Sequence, residues 1–330
     1  MDLTTFLQQC LTGISLGGAY ALIAIGYTLV YGILRLINFA HGDIFMMAGY
    51  FMIFSMASMP WYIAIPVVLI ATVLLGVLIE KTAYKPLRNA PRMSVMISAI
   101  GVSYLLQNLA TYLFTALPKG YPEIPVLKKI IKFGDLSFSL VTILTPILTL
   151  IIVYILMMLI KHTKIGMAMR AVSKDYETAQ LMGIKINKTV SFTFAIGSLL
   201  AGIGSILYFT DRMTVFPYSG SLPGLKCFVA AVIGGIGSIP GAVIGGFILG
   251  FGETALGRRA LGRRYYGRRG QRNSSGYDER PARIGDLELR EHPKDRDRAP
   301  AQHRIRLPQQ PRCSSRDRAR SLHRLFIAHG

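Results

Sequence analysis

The sequence predicts an all-α protein: a polytopic transmembrane helical bundle of seven spans, one broken near residues 234–241, followed by a disordered basic tail. Long apolar runs carry the first part of that expectation. Residues 1–256 are overwhelmingly apolar, and their charges sit in short intervals between runs. An abrupt change at Gly257 carries the second part, because residues 257–330 are polar, Arg-rich and free of long apolar runs. The break is expected from Gly-Gly-Ile-Gly-Ser-Ile-Pro-Gly at 234–241. There Pro240 removes a backbone donor, and Gly237 and Gly241 loosen the helix.

A helix needs about 20 apolar residues to cross about 30 Å of hydrocarbon. The runs near that length are 11–34, 44–59, 61–79, 93–117, 140–160, 190–209 and 225–251. They are apolar all round rather than striped, which separates spans from surface helices. The first follows a segment, 1–10, without Lys or Arg and is far longer than a signal-peptide core, so it reads as a retained span. The second is short, and its start reaches back toward Phe39. In the seventh, the expectation is two half-helices joined by unwound backbone, which persists in a membrane only against protein or a watery path. Basic residues favour the cytoplasmic side. Connections 35–43, 80–92 and 161–189 hold eleven Lys/Arg, against five in 1–10, 60, 118–139 and 210–224. The N-terminus is therefore expected outside the cytoplasm, with the protein multi-pass in the cell inner membrane.

The formal net charge of +20 averages two different sequences. Residues 1–256 carry 17 Lys+Arg and 9 Asp+Glu, residues 257–330 carry 20 and 8. The body's excess is largely the orientation signal, so no nucleic-acid partner is inferred. Basic residues in the tail are 19 Arg to one Lys, against 5 Arg to 12 Lys before it. That inversion at one point reads as a frameshift, a fusion or a sequencing error, with a real basic tail binding lipid or RNA as the alternative. The domains are thus 1–256, a transmembrane domain, and 257–330, a disordered tail, out of frame. Cys10, Cys227 and Cys313 are far apart and form neither a disulfide framework nor a metal site. Cys10 and Cys227 read as small apolar residues.

No GxxxxGK[ST] phosphate loop, metal-ligand cluster, nucleophile elbow or acid–base carboxylate pair occurs, so no catalytic residue, metal or cofactor is assigned. All nine acidic residues of the body fall at the ends of apolar runs or between them. A proton- or sodium-coupled carrier keeps an ionisable group within the membrane, so energy is expected to enter from a partner, unless the protein is a passive channel. Three features remain. Asn38-Phe-Ala-His41-Gly-Asp43 is a polar hairpin between two apolar runs. Asp43 alone reads as the cap of a helix beginning at Ile44, while the hairpin as a whole, with Gly234, Gly235, Gly237 and Pro240, reads as lining or gating a substrate path. Residues 166–183 have helical spacing with a modest apolar face, and Gly183 suits a C-cap. This predicts a short helix parallel to the membrane that docks on a cytoplasmic protein through Arg170, Ala171, Asp175, Glu177 and Ala179, a solvated surface helix being the plainer reading. Gly13/Gly17 and Gly241/Gly245 are small residues four apart, which let membrane helices approach closely.

Together the stretches 16–26, 38–43, 80–88, 166–183 and 228–253 resemble one family closely, the permease subunits of branched-chain amino acid ABC importers of the LivH type. The resemblance runs in order through about three quarters of the chain. It implies a transmembrane subunit that pairs with a second, homologous permease, two cytoplasmic ATPases and an extracytoplasmic substrate-binding protein, in contact with membrane lipid. In that family the loop matching 171–183 engages the ATPase. Close relatives of the architecture carry urea or short amides, which keeps those substrates as an alternative, with a secondary carrier or channel behind them. The chain departs from the family at Gly257, where members continue into at least one more apolar span.

Overall fold

A computed structural model describes residues 3–35, 38–88, 90–127, 129–133 and 136–274. The chain folds into ten α-helices, one π turn and four short strands among these residues: α1 (Leu3–Leu34), α2 (His41–Ser58), α3 (Trp61–Ile79), the π turn (Glu80–Tyr84), α4 (Arg92–Phe114), β1 (Lys119–Gly120), β2 (Ile130–Phe133), β3 (Leu136–Ser139), α5 (Leu140–His162), α6 (Lys164–Lys174), α7 (Tyr176–Leu181), α8 (Ile186–Arg212), β4 (Thr214–Val215), α9 (Ser221–Ile233) and α10 (Ile239–Ser274).

Six helices are long and apolar enough to cross a membrane, those containing Phe6–Leu34, Trp61–Tyr84, Met93–Phe114, Leu140–His162, Ile186–Arg212 and Ile239–Leu256. Seven spans were expected. The difference lies in α2, whose 18 residues begin with His41, Gly42 and Asp43 and are less apolar for it. The expected seventh span divides into α9 and α10 with an irregular turn at residues 234–238 between them. Gly235 (φ +88°) and Gly237 (φ +96°) take left-handed backbone there, which residues with a Cβ rarely adopt. Gly234 then packs on Gly241, and Ala230 on Gly245, so α9 and α10 run antiparallel. With 13 residues, α9 spans about 20 Å and stops short of a crossing.

The α1 and α8 windows are 83% and 72% buried and the other four are 28%, so α1 and α8 are enclosed and the rest surround them. Small residues make this possible. Gly13 and Gly17 of α1 lie against Phe251, Thr254, Gly246 and Phe247 of α10, and Gly18 against Pro146 and Thr149 of α5. The Thr149 hydroxyl also donates to the Gly18 carbonyl at 3.2 Å. In an apolar solvent such close approach supplies the dispersion contacts that hydrophobic burial cannot.

Connections segregate to two ends. At one end β1 pairs antiparallel with β4, Lys119 opposite Val215, which ties the 118–139 connection to the turn after α8. At the other, the Arg35 guanidinium donates to the carbonyls of Ser173 and Lys174 at 3.2 and 3.1 Å. Here too Glu80, fully buried, accepts from Arg88 and from the Ser191 hydroxyl at 2.7 Å, while Arg88 also reaches Asn187. The last helix continues to Ser274, past the boundary expected at Gly257. The rest of the expected tail, with Cys313, lies outside the described residues.

Candidate functional site

The polar hairpin reaches into the bundle. Its Asp43 is 2% exposed, and its carboxylate accepts hydrogen bonds from the Ser103 hydroxyl and from Gln107 Nε2 at 3.0 Å. Ser103 is the central residue of α4, so the carboxylate lies halfway along a spanning helix. Two expectations are corrected by this. Asp43 is no helix cap: α2 begins at His41, its N-cap is Ala40, and no side chain caps it. Nor are spans free of ionisable groups. The end of an apolar run in the sequence is not the membrane surface in space, because the connection before α2 folds inward.

A second polar cluster lies nearby in the sequence of elements. Lys226 of α9 donates to Glu253 of α10 at 2.7 Å, and Tyr20, at the centre of the first span, donates to the same carboxylate at 2.9 Å. These two side chains are 37% and 31% exposed and neutralise each other.

Around Asp43 is a cavity of about 300 Å³. Tyr27 of α1, Gly42 of α2, Ser103 and Gln107 of α4, and Ser221 and Phe228 of α9 line it, with half-exposed Ile100, Tyr104 and Leu225 at its mouth. The N-termini of α2 and α9 meet there, Gly42 lying directly on Gly220 and Gly224, where any Cβ would collide with backbone. Gln107 also reaches the Ser103 and Ser221 hydroxyls at 3.2 Å each, closing a polar ring of Asp43, Ser103 and Gln107 to which Ser221 is joined. Sequence reasoning missed the last three. Ser103 and Gln107 stand four apart on one face of an apolar helix, and that spacing is the signal that could have found them.

The other hairpin residues go elsewhere. Asn38 accepts from the Tyr84 hydroxyl at 2.7 Å. His41 packs edge-on against Tyr27, ring centroids 4.7 Å apart. Gly234, Gly235, Gly237 and Pro240 lie at the opposite end of α9 from Asp43, so the structure does not bring the two sets of gate residues into one site. A small pocket is lined by Asn38 and by Ile236, the residue between Gly235 and Gly237.

The 161–189 connection also differs from its expectation. Instead of one helix over 166–183 there are two, because Asp175 adopts extended backbone and caps α7, accepting from the amides of Glu177 at 3.0 Å and Thr178 at 3.3 Å and from the Thr178 hydroxyl. Those bonds, the Thr178 hydroxyl first, hold its carboxyl below the ordinary carboxylate value. After α7, Gly183 (φ +80°) donates to Gln180 and Ile184 to Ala179, the paired bonds of a Schellman cap. Arg170 donates to the Lys161 carbonyl at 3.2 Å. Ala171, Ala179, Met167 and Met182 border a shallow apolar groove, and Leu181 beside it is 88% exposed.

No three His, Cys, Asp or Glu side chains among the described residues converge on a metal site. No solved structure matches the chain. It is 38% identical over 263 residues to the high-affinity branched-chain amino acid transport system permease protein BraD of Pseudomonas aeruginosa, covering 75% of this chain and 85% of that one. The permease proteins LivH of Salmonella typhimurium and of Escherichia coli strain K12 are each 38% identical over 262 residues, with the same coverage. These relatives are transport permeases rather than enzymes. A match to the family described as branched-chain amino acid transport system / permease component runs over residues 9–266. With its apolar helices, this multi-pass membrane protein belongs to that family.

Proposed function

We propose that the chain is the membrane-spanning subunit of an ATP-binding cassette importer that moves leucine, isoleucine or valine across the cell inner membrane. What carries the reading is family membership over residues 9–266 together with the permease relatives at 38% identity. Its partners are a second homologous permease, two cytoplasmic ATPase subunits and an extracytoplasmic substrate-binding protein. The N-terminus faces outward, and α6 and α7 face the cytoplasm. Their apolar groove, with exposed Met182 and Leu181, is the surface that docks on the ATPase. Arg170 and Glu177 are charged residues of the same two helices, and Asp175 and Gly183 fix the shape of the groove through the two caps. The substrate path runs by the cavity at Asp43, and residues 257–330 are an out-of-frame tail on a 1–256 permease domain.

Expression of the full chain in cells that lack their own branched-chain amino acid importer but retain its other subunits tests this. Restored uptake of radiolabelled leucine that depends on the ATPase and binding-protein genes supports the proposal. Restored uptake in cells lacking those genes would contradict it.

A further inference from the structure

We infer that the cavity at Asp43 is a substrate subsite that recognises a primary ammonium group, so that the permease itself selects for an amino acid. This deepens, and rests on, the proposed importer function. A buried carboxylate is costly unless it is paired with a cation. The ion pairs among the described residues are Arg88–Glu80 and Lys226–Glu253, and neither involves Asp43. Its hydrogen-bond partners are neutral, a hydroxyl and a carboxamide, and they leave capacity on both carboxylate oxygens for a third donor. Three acceptor oxygens, the Asp43 carboxylate and the hydroxyls of Ser103 and Ser221, cluster within 3.0–3.2 Å of Gln107 Nε2 and line the same cavity. An ammonium has three donors and no acceptor.

The remaining walls fit the rest of the molecule. Leu225, Phe228 and Ile100 supply an apolar side for a branched aliphatic chain. The α9 N-terminus carries no side-chain cap, and its end of the helix dipole favours a carboxylate. The cavity, about 300 Å³, is at the small end of the range for ligand pockets and suits a small amino acid. A neutral urea or amide would leave the carboxylate uncompensated, which sets the selectivity.

The test uses the whole importer in proteoliposomes with its binding protein. Asp43→Asn keeps the size and an acceptor but loses the charge. Leucine moved per ATP hydrolysed falls about tenfold or more, as expected for losing a charge-assisted hydrogen bond, while binding-protein-stimulated ATP hydrolysis continues. Unchanged stoichiometry in Asp43→Asn overturns the subsite and leaves the importer reading standing. Absence of ATP-driven leucine import by the unmutated importer overturns the reading itself.

A second measurement covers an Asp43→Asn chain that fails to assemble. Ser221→Cys is placed in a chain whose Cys10, Cys227 and Cys313 are alanine, and the reaction of the new thiol with a methanethiosulfonate is timed. Leucine slows the reaction, whereas 4-methylpentanoate, the same skeleton without its ammonium, does not. Equal protection by both, or protection by neither, contradicts the inference.

Discussion

Two buried carboxylates illustrate how differently one residue type is used. Glu80 is fully buried and already neutralised by Arg88, with Ser191 as a further donor. Removing it strands a largely buried guanidinium, so Glu80→Ala is expected to cost about 3 kcal/mol or more, read as a lower unfolding temperature in nanodiscs. Glu253→Ala breaks a pair that is about one-third exposed and is expected to cost less than half as much in the same assay. Tyr84→Phe removes the hydroxyl that donates to Asn38 Oδ1 and is expected to cost about 1 kcal/mol. Of these three carboxylates, Asp43 is the one whose hydrogen-bond partners are all neutral. None of this depth was legible in the sequence. Hydropathy locates runs along the chain, while the depth of a residue between runs depends on how Asn38 and Phe39 sit against Tyr84 and α4.

At the scale of elements, the apolar runs were legible because a membrane solvent makes whole segments uniformly apolar, and residues 234–241 announced their own break through Gly and Pro. The re-entrant geometry of α9 was not legible. Its start is set by the contact of Gly220 and Gly224 with Gly42, a pairing across most of the chain. Gly42→Ala is therefore expected to separate α2 from α9 and abolish import while α1 and α8 stay inserted. Protease protection of the spans alongside uptake checks this, and normal uptake would contradict it. In the 161–189 connection, the split at Asp175 follows from the cap preference of a short acidic side chain, which a uniform helical pattern hides. Gly183→Ala forces a Cβ into left-handed backbone at about 1–2 kcal/mol. It is expected to weaken co-purification with the ATPase without loss of membrane insertion.

For the whole molecule, independent hydrogen-bonded ties organise the two ends, β1 with β4 at one and Arg35 with Ser173 at the other. The family match ends at residue 266, within the Arg-rich stretch. Reading the coding DNA around codon 257 is expected to reveal a shifted frame whose correction restores an apolar run of about 20 residues. A confirmed present frame would contradict that account of the tail. The central claim, an ATP-driven branched-chain amino acid permease, is tested most directly by leucine uptake into proteoliposomes holding the full chain, its partner permease and both ATPases. Uptake is expected only when ATP and the binding protein are both present, with isoleucine and valine competing and urea not. Uptake driven by a proton gradient without the ATPases, or competition by urea in place of the branched-chain amino acids, would contradict it.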